Sequence, residues 1–181
     1  MLTITVPARE FYDEEREEFI EVKEQTLTLE HSLISLSKWE AKWKKPYLTD
    51  EKKTREETLD YLKCMTVGKV PADIVYHSLS KENIDAIVAY INDPMTATTI
   101  NDMGPKRHNR EIVTSEIIYY WMIAQQIPTE YEKWHLNRLL TLIRVCSIKN
   151  NPKQKKMSRR EIAAQNRAIN AARRKKYGTK G

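Results

Sequence analysis

Glycine is scarce in this chain, with four in 181 residues, and the phosphate-cradling loops GxGxxG and GxxxxGK[ST] are absent. The common backbone solutions for nucleotide binding are therefore excluded. Cysteine is scarcer still: Cys64 and Cys146 stand far apart. Two such residues form no disulfide framework and suit a reducing interior such as a cytoplasm. No apolar run approaches the roughly 20 residues that cross a bilayer, so no membrane contact is expected. The opening MLTITVPARE lacks the basic segment and apolar block of a secretory signal. No CxxC, HxxxH or GxSxG stands anywhere in the sequence.

What remains of the catalytic inventory is thin. Glu132-x-x-His135 puts a carboxylate and an imidazole one helical turn apart, as in one arm of a di-iron bundle, but there is no second ExxH. It reads more simply as a cap residue followed by a helix side chain. The acidic pairs Glu14-Glu15 and Glu17-Glu18 lie in a charged turn and read as a solvated face. Cys146, inside an apolar run, reads as a small hydrophobe. The expectation is a protein that is not an enzyme and carries no cofactor and no metal.

The charge is divided. Twelve Lys or Arg and one acid between Lys149 and Gly181 give that segment +11, which leaves −5 on the first 148 residues out of a total of +6. A mildly acidic body of residues 1–150 therefore precedes a basic linker and tail of residues 151–181. The tail side chains Arg159, Arg160, Arg167, Arg173, Arg174, Lys175 and Lys176 fit either phosphates or an acidic protein surface, or simply a solvated terminus.

Hydrophobic periodicity predicts a mainly α fold: a small helical domain with an N-terminal β-hairpin and a basic C-terminal helical tail. LTITV at 2–6 alternates and is β-branched, and its expected partner is 18–23. Helical spacing then runs through Leu29, Leu33, Leu36, Trp39 and Trp43 and stops before Pro46. Thr54 to Glu57 fits a capping box whose helix buries Leu59, Leu62 and Met65. A short helix is expected over Ala72–Leu79. Ser80 caps a further helix with Ile84, Ile87, Val88 and Ile91 on one stripe. Residues 94–110 have no period and form the main loop. Residues 111–126 are apolar on most faces, which predicts a central buried helix with Tyr119, Tyr120 and Trp121 in the core. Thr129 to Glu132 resembles a second capping box, opening a helix that pairs with it as a hairpin. Ser158 to Glu161 resembles a third, opening an alanine-rich helix to about Lys176.

Trp39 and Trp43, four residues apart beside Lys42, form the candidate partner-binding face. If both rings are exposed they grip a client helix. If they cap the core, the lysines merely flank them.

The segments TLTLEHSLISLSKWEAKWKKP (26–46), TREETLDYLKCMT (54–66), YINDPMTATT (90–99), NREIVTSEIIYYWMIA (109–124), EKWHLNRLLTLIRVCSIKN (132–150) and MSRREIAAQNRAINAARRKK (157–176) together resemble the tail assembly chaperones of long-tailed bacteriophages. The resemblance covers nearly the whole chain and carries no catalytic motif. It implies a non-catalytic homo-oligomer of the host cytoplasm, absent from the mature virion. Such a protein binds the helical, hydrophobic tape measure protein, keeps it soluble and helps recruit tail tube protein. Two other readings compete with it. One is a structural virion component such as a head–tail connector. The other is a nucleic-acid-binding phage protein acting through the basic tail, against which the acidic body argues.

Overall fold

The computed structural model describes residues 1–13, 17–100, 111–150 and 159–178. Among these the chain is mainly helical and begins with antiparallel strands. It divides into two units, Met1–Cys146 and Ser147–Gly181. No helix of the described residues is long and apolar enough to cross a membrane.

Four strands open the first unit: β1 (Leu2–Val6), β2 (Arg9–Asp13), β3 (Glu18–Val22) and β4 (Gln25–Leu29). β1 pairs with β4, Leu2 opposite Leu29 and Val6 opposite Gln25, while β2 pairs with β3 from Arg9–Val22 to Asp13–Glu18. The expected partner of 2–6 is thus corrected from 18–23 to 25–29. The reason lies in matching faces. LTITV and QTLTL both alternate threonine with aliphatic residues, so Thr3–Thr28 and Thr5–Thr26 share one face and Ile4–Leu27 the other. Ile4, Val6, Leu27 and Leu29 are buried. Pro7, which has no N–H to give, separates β1 from β2.

The helices α1 (Leu33–Trp43), α2 (Arg55–Met65), α3 (Asp73–His77) and α4 (Lys81–Asn92) follow, and all but α3 begin at a side-chain cap. Ser32 accepts the Ser35 N–H, and Thr54 and Ser80 form reciprocal capping boxes with Glu57 and Asn83. α1 ends at Lys44 in the left-handed region, φ 56°. Leu29 closes β4 instead of opening α1, and Leu59 is half-buried while Leu62 and Met65 are buried.

α1 sits between two cores. Trp39 joins the strands and α2, α3 and α4 in the first, with Tyr61, Met65, Tyr76 and Ile87. Leu33 and Leu36 join the second, formed with α5 (Ser115–Ala124) and α6 (Leu136–Asn150) through Ile118, Met122, Leu136, Leu139 and Ile143. Glu40, on the same helix, is buried between two backbone segments. Its carboxylate accepts the Tyr47 N–H at 2.8 Å and, through its other oxygen, the Ser115 N–H at 2.7 Å. That second bond caps the start of α5, where Thr114 makes no side-chain cap.

Two expectations for this half are corrected. α5 is not buried on most faces: Ile118 and Met122 face the core, Tyr119 and Trp121 are half-buried, and Tyr120 and Ile123 are 66% and 73% exposed. With one helix hairpin and α1 to cover it, a ten-residue helix hides only one stripe. Nor does the last body helix start at the second capping box. Residues Thr129–Lys133 wind into a 3-10 turn with no side-chain cap, Trp134 is extended, and α6 starts at Leu136. Pairing overrides the local signal here. His135 bridges Ser32, and the Leu136 N–H donates to the His31 carbonyl at 2.7 Å.

In the second unit, α7 spans Arg159–Tyr177. Ser158, the expected cap, and residues 101–110 of the expected main loop lie outside the described residues.

Candidate functional site

α1 and α2 pack side by side, and the candidate tryptophan face turns into that joint. Trp39 is 1% exposed and its indole Nε1–H donates to the Glu57 carbonyl at 2.8 Å. Trp43 is half-buried and donates to Asp60 Oδ2 at 2.9 Å. The two rings stack at 6.1 Å between centroids. Lys42 ion-pairs with the other Asp60 oxygen, which raises its ammonium pKa, and its Nζ lies 5.8 Å over the Trp43 ring. Lys45 holds Glu57 Oε1 at 2.6 Å. Of the two readings of this face, the structure has the one in which the rings belong to the core and its edge. A helical period shows that Trp39 and Trp43 share a stripe but not that α2 covers it. Lys42 remains open to solvent at its outer end, with 60% of its side chain exposed.

The carboxylate and imidazole of the ExxH pattern go separate ways. Glu132 accepts the Tyr119 hydroxyl at 2.9 Å, and His135 Nε2 donates to the Tyr90 carbonyl at 3.0 Å. Among the described residues no three His, Cys, Asp or Glu side chains gather as a metal site. Cys64 and Cys146 are half-buried free thiols, and burial pushes the Cys64 thiol up. Of the basic tail residues, Arg159, Arg160, Arg167 and Arg174 are exposed on α7. Arg173, Lys175 and Lys176 belong to the same helix, with side chains outside the described residues.

The surface that sequence reasoning missed lies between α2 and α4. α4 is rotated so that Ile87 and Tyr90 are buried, while Ile84 and Val88 from the same expected stripe are 49% and 52% exposed. With Leu59, Leu62, Tyr76 and Ile91 they line an apolar groove of about 360 Å³. A more polar pocket of about 510 Å³ continues from it, sharing Arg55, Leu59, Tyr76 and His77 and adding Lys63 and Asp73. Those two are ion-paired at 2.8 Å, and Lys63 holds the Asp73 carboxyl below its usual range. The α4 N-terminus is fastened by Asn83, whose side-chain amide donates to the Thr5 carbonyl at 3.2 Å. The signal for this groove was present as an isoleucine–valine stripe too wide for one core contact: Ile84 and Val88 stand four apart, as do Ile87 and Ile91.

An arrangement of this kind can bind an apolar partner. It is a hydrophobic channel, open on one side and edged by the cations Lys53 and Arg55. No family model, no curated protein and no solved structure matches the chain.

Proposed function

We propose that this protein is a bacteriophage tail assembly chaperone that holds a helical segment of the tape measure protein in the α2–α4 groove and helps recruit tail tube protein. The observation that carries the reading is the half-exposed Ile84–Val88 pair beside Leu59. Apolar side chains one turn apart on a groove wall suit an amphipathic helix that presents its own residues at three- and four-residue steps. The family resemblance of the whole chain supports the same reading. The protein acts in the cytoplasm of the bacterial host and leaves the particle before it matures. The partner surface is the groove, with Lys42 and Arg55 near its polar continuation; Trp39 is a core residue.

Co-expression with the tape measure protein of the same phage tests this. The chain should keep that protein in the soluble fraction and co-purify with it, and purified virions should contain no copy. A tape measure protein that precipitates regardless overturns the reading.

A second reading rests on the exposed arginines of α7. A basic helix binds nucleic acid by counterion release, with an affinity that falls steeply with salt. Retention of the full chain on duplex DNA at about 0.2 M salt favours it. Loss of retention at that salt favours the chaperone.

A further inference from the structure

Among the described residues, the β2–β3 ribbon has one face on the core and one face exposed. Val22 is buried and Phe11 and Ile20 are half-buried on the inner face. The outer face carries two cross-strand pairs, Glu10 opposite Glu21 and Tyr12 opposite Phe19. Tyr12 and Phe19 are 53% and 72% exposed, with ring centroids 5.1 Å apart. Glu10 and Glu21 are exposed, and like charges directly opposed across a ladder destabilise it. An aromatic pair one pleat away from two opposed carboxylates is the setting that receives a guanidinium: the plane stacks on a ring while the N–H groups bond an oxygen. A cation there also removes the repulsion.

The charge distribution identifies where that cation comes from. Residues 9–24 hold eight acids and three bases, a net −5, so the whole negative excess of the first 148 residues resides in the ribbon region. The only comparable excess of the opposite sign is the +11 of residues 149–181. On α7, Arg160, Arg167 and Arg174 are exposed and follow one another at seven-residue steps. That spacing returns to nearly the same face of a helix, drifting by about 20° per step. Successive arginines are thus on the order of 10 Å apart along one line.

We propose that the outer face of the β2–β3 ribbon binds the arginine stripe of α7 from a second copy of this chain, joining copies head to tail. One guanidinium enters between the Glu10–Glu21 and Tyr12–Phe19 pairs, and the heptad spacing offers three positions from which it can come. Because each copy has one ribbon and one stripe, the contact is heterologous and repeats from copy to copy. It uses neither the groove nor the tape measure protein, so it stands or falls independently of the chaperone reading.

The test is sedimentation equilibrium on the full chain after nuclease treatment. The chain should self-associate at about 0.05 M salt and dissociate near 0.5 M, where exposed charges are screened. Glu10→Arg with Glu21→Arg should weaken association by about tenfold or more, as should Arg160→Glu with Arg167→Glu and Arg174→Glu. An equimolar mixture of the two variants should associate again, because one intact ribbon and one intact stripe then meet on unlike chains. If the ribbon charge variant loses its native circular dichroism, Tyr12→Ser with Phe19→Ser replaces it, with the same weakening expected. A wild-type chain that is monomeric at low salt overturns the proposal. So does a mixture that stays dissociated, or an association that nuclease abolishes.

Discussion

The rings of His31 and His135 meet edge to face, with centroids 5.2 Å apart, where the two cores of the body join. Both are buried. His31 Nδ1 and the Tyr61 hydroxyl share a hydrogen bond of 2.6 Å, and His135 donates from Nε2 to the Tyr90 carbonyl, while its buried Nδ1 has no partner among the described residues. The surrounding charges are one step removed: Tyr90 donates its hydroxyl to Glu30 at 2.7 Å, and the amino group of Met1 pairs with Glu30 at 3.0 Å. Among the described residues the two imidazoles thus meet each other, Tyr61 and Tyr90.

Acid should therefore unfold this protein through His31. Burial, and then the neighbouring His135, bring its pKa down from 6.5 to about 4. Between those values the unfolded chain takes a proton that the folded chain refuses, so stability is full above about pH 6.5 and falls as pH drops towards 4. The loss approaches roughly 3 kcal/mol at the lower end. Urea midpoints measured from pH 7.5 to 4 check it. In His31→Gln most of this slope should vanish, with a lower but flatter stability curve.

The burial of Trp39 leads to a different outcome for the tryptophan variants from the one an exposed face implies. Trp39→Ala should cost about 3–5 kcal/mol, since it empties a fully packed site and leaves the Glu57 carbonyl without its indole donor. Trp43→Phe keeps most of the packing and loses one hydrogen bond, so its cost should be about 1–2 kcal/mol. Denaturant unfolding separates the two. Equal small costs would place Trp39 outside the core.

How much of this was legible follows from what each signal encodes. The starts of α2 and α4 were readable because Thr54 and Ser80 cap them locally, and local chemistry sits in adjacent residues; the start of α1 was set too early, at Leu29, because the aliphatic residues of β4 run into its stripe. β2 was not, because REFYD groups two charges and two aromatics with no period-two alternation inside an acidic run, and only its pairing with EFIEV reveals the strand. The α5 sequence is apolar all round, and composition does not say that so small a body leaves Tyr120 and Ile123 uncovered. For the candidate site, the stripe on α4 was visible but its rotation was not. Which of Ile84, Ile87, Val88 and Ile91 is buried depends on where β1, α2 and α3 stand. The His31–His135 contact joins positions far apart in the chain and leaves no trace in any window.

Glu40 makes a further prediction. It sits on the apolar stripe of α1, yet its two oxygens hold the N–H groups of Tyr47 and Ser115. A carboxylate at the first residue of α5 also meets the positive end of that helix. Glu40→Ala leaves two backbone donors in a buried region and should cost about 2–4 kcal/mol. Glu40→Gln keeps one acceptor and should recover about half of that. Thermal melts of the pair check it, and amide exchange at Ser115 should quicken in both variants.

The groove separates binding from folding within a single helix. Ile84 and Val88 are about half exposed on α4, whereas Ile87, between them in sequence, is 3% exposed. An aspartate at either of the first two positions remains in water when the chain is alone, so Ile84→Asp and Val88→Asp should each cost less than about 1 kcal/mol of stability. With a client helix in place the same carboxylate must shed its hydration against apolar side chains. Residues at the centre of such contacts often lose about 2 kcal/mol or more on substitution, which is roughly thirtyfold in affinity. The Ile84→Asp/Val88→Asp chain should therefore melt like wild type and fail to keep the tape measure protein soluble. Ile87→Asp should unfold, because its charge enters the first core. A double variant that rescues the client as well as wild type does would remove the groove from the reading and turn attention to Tyr120 and Ile123 on α5. A double variant that melts far lower would mean that Ile84 and Val88 support the fold after all.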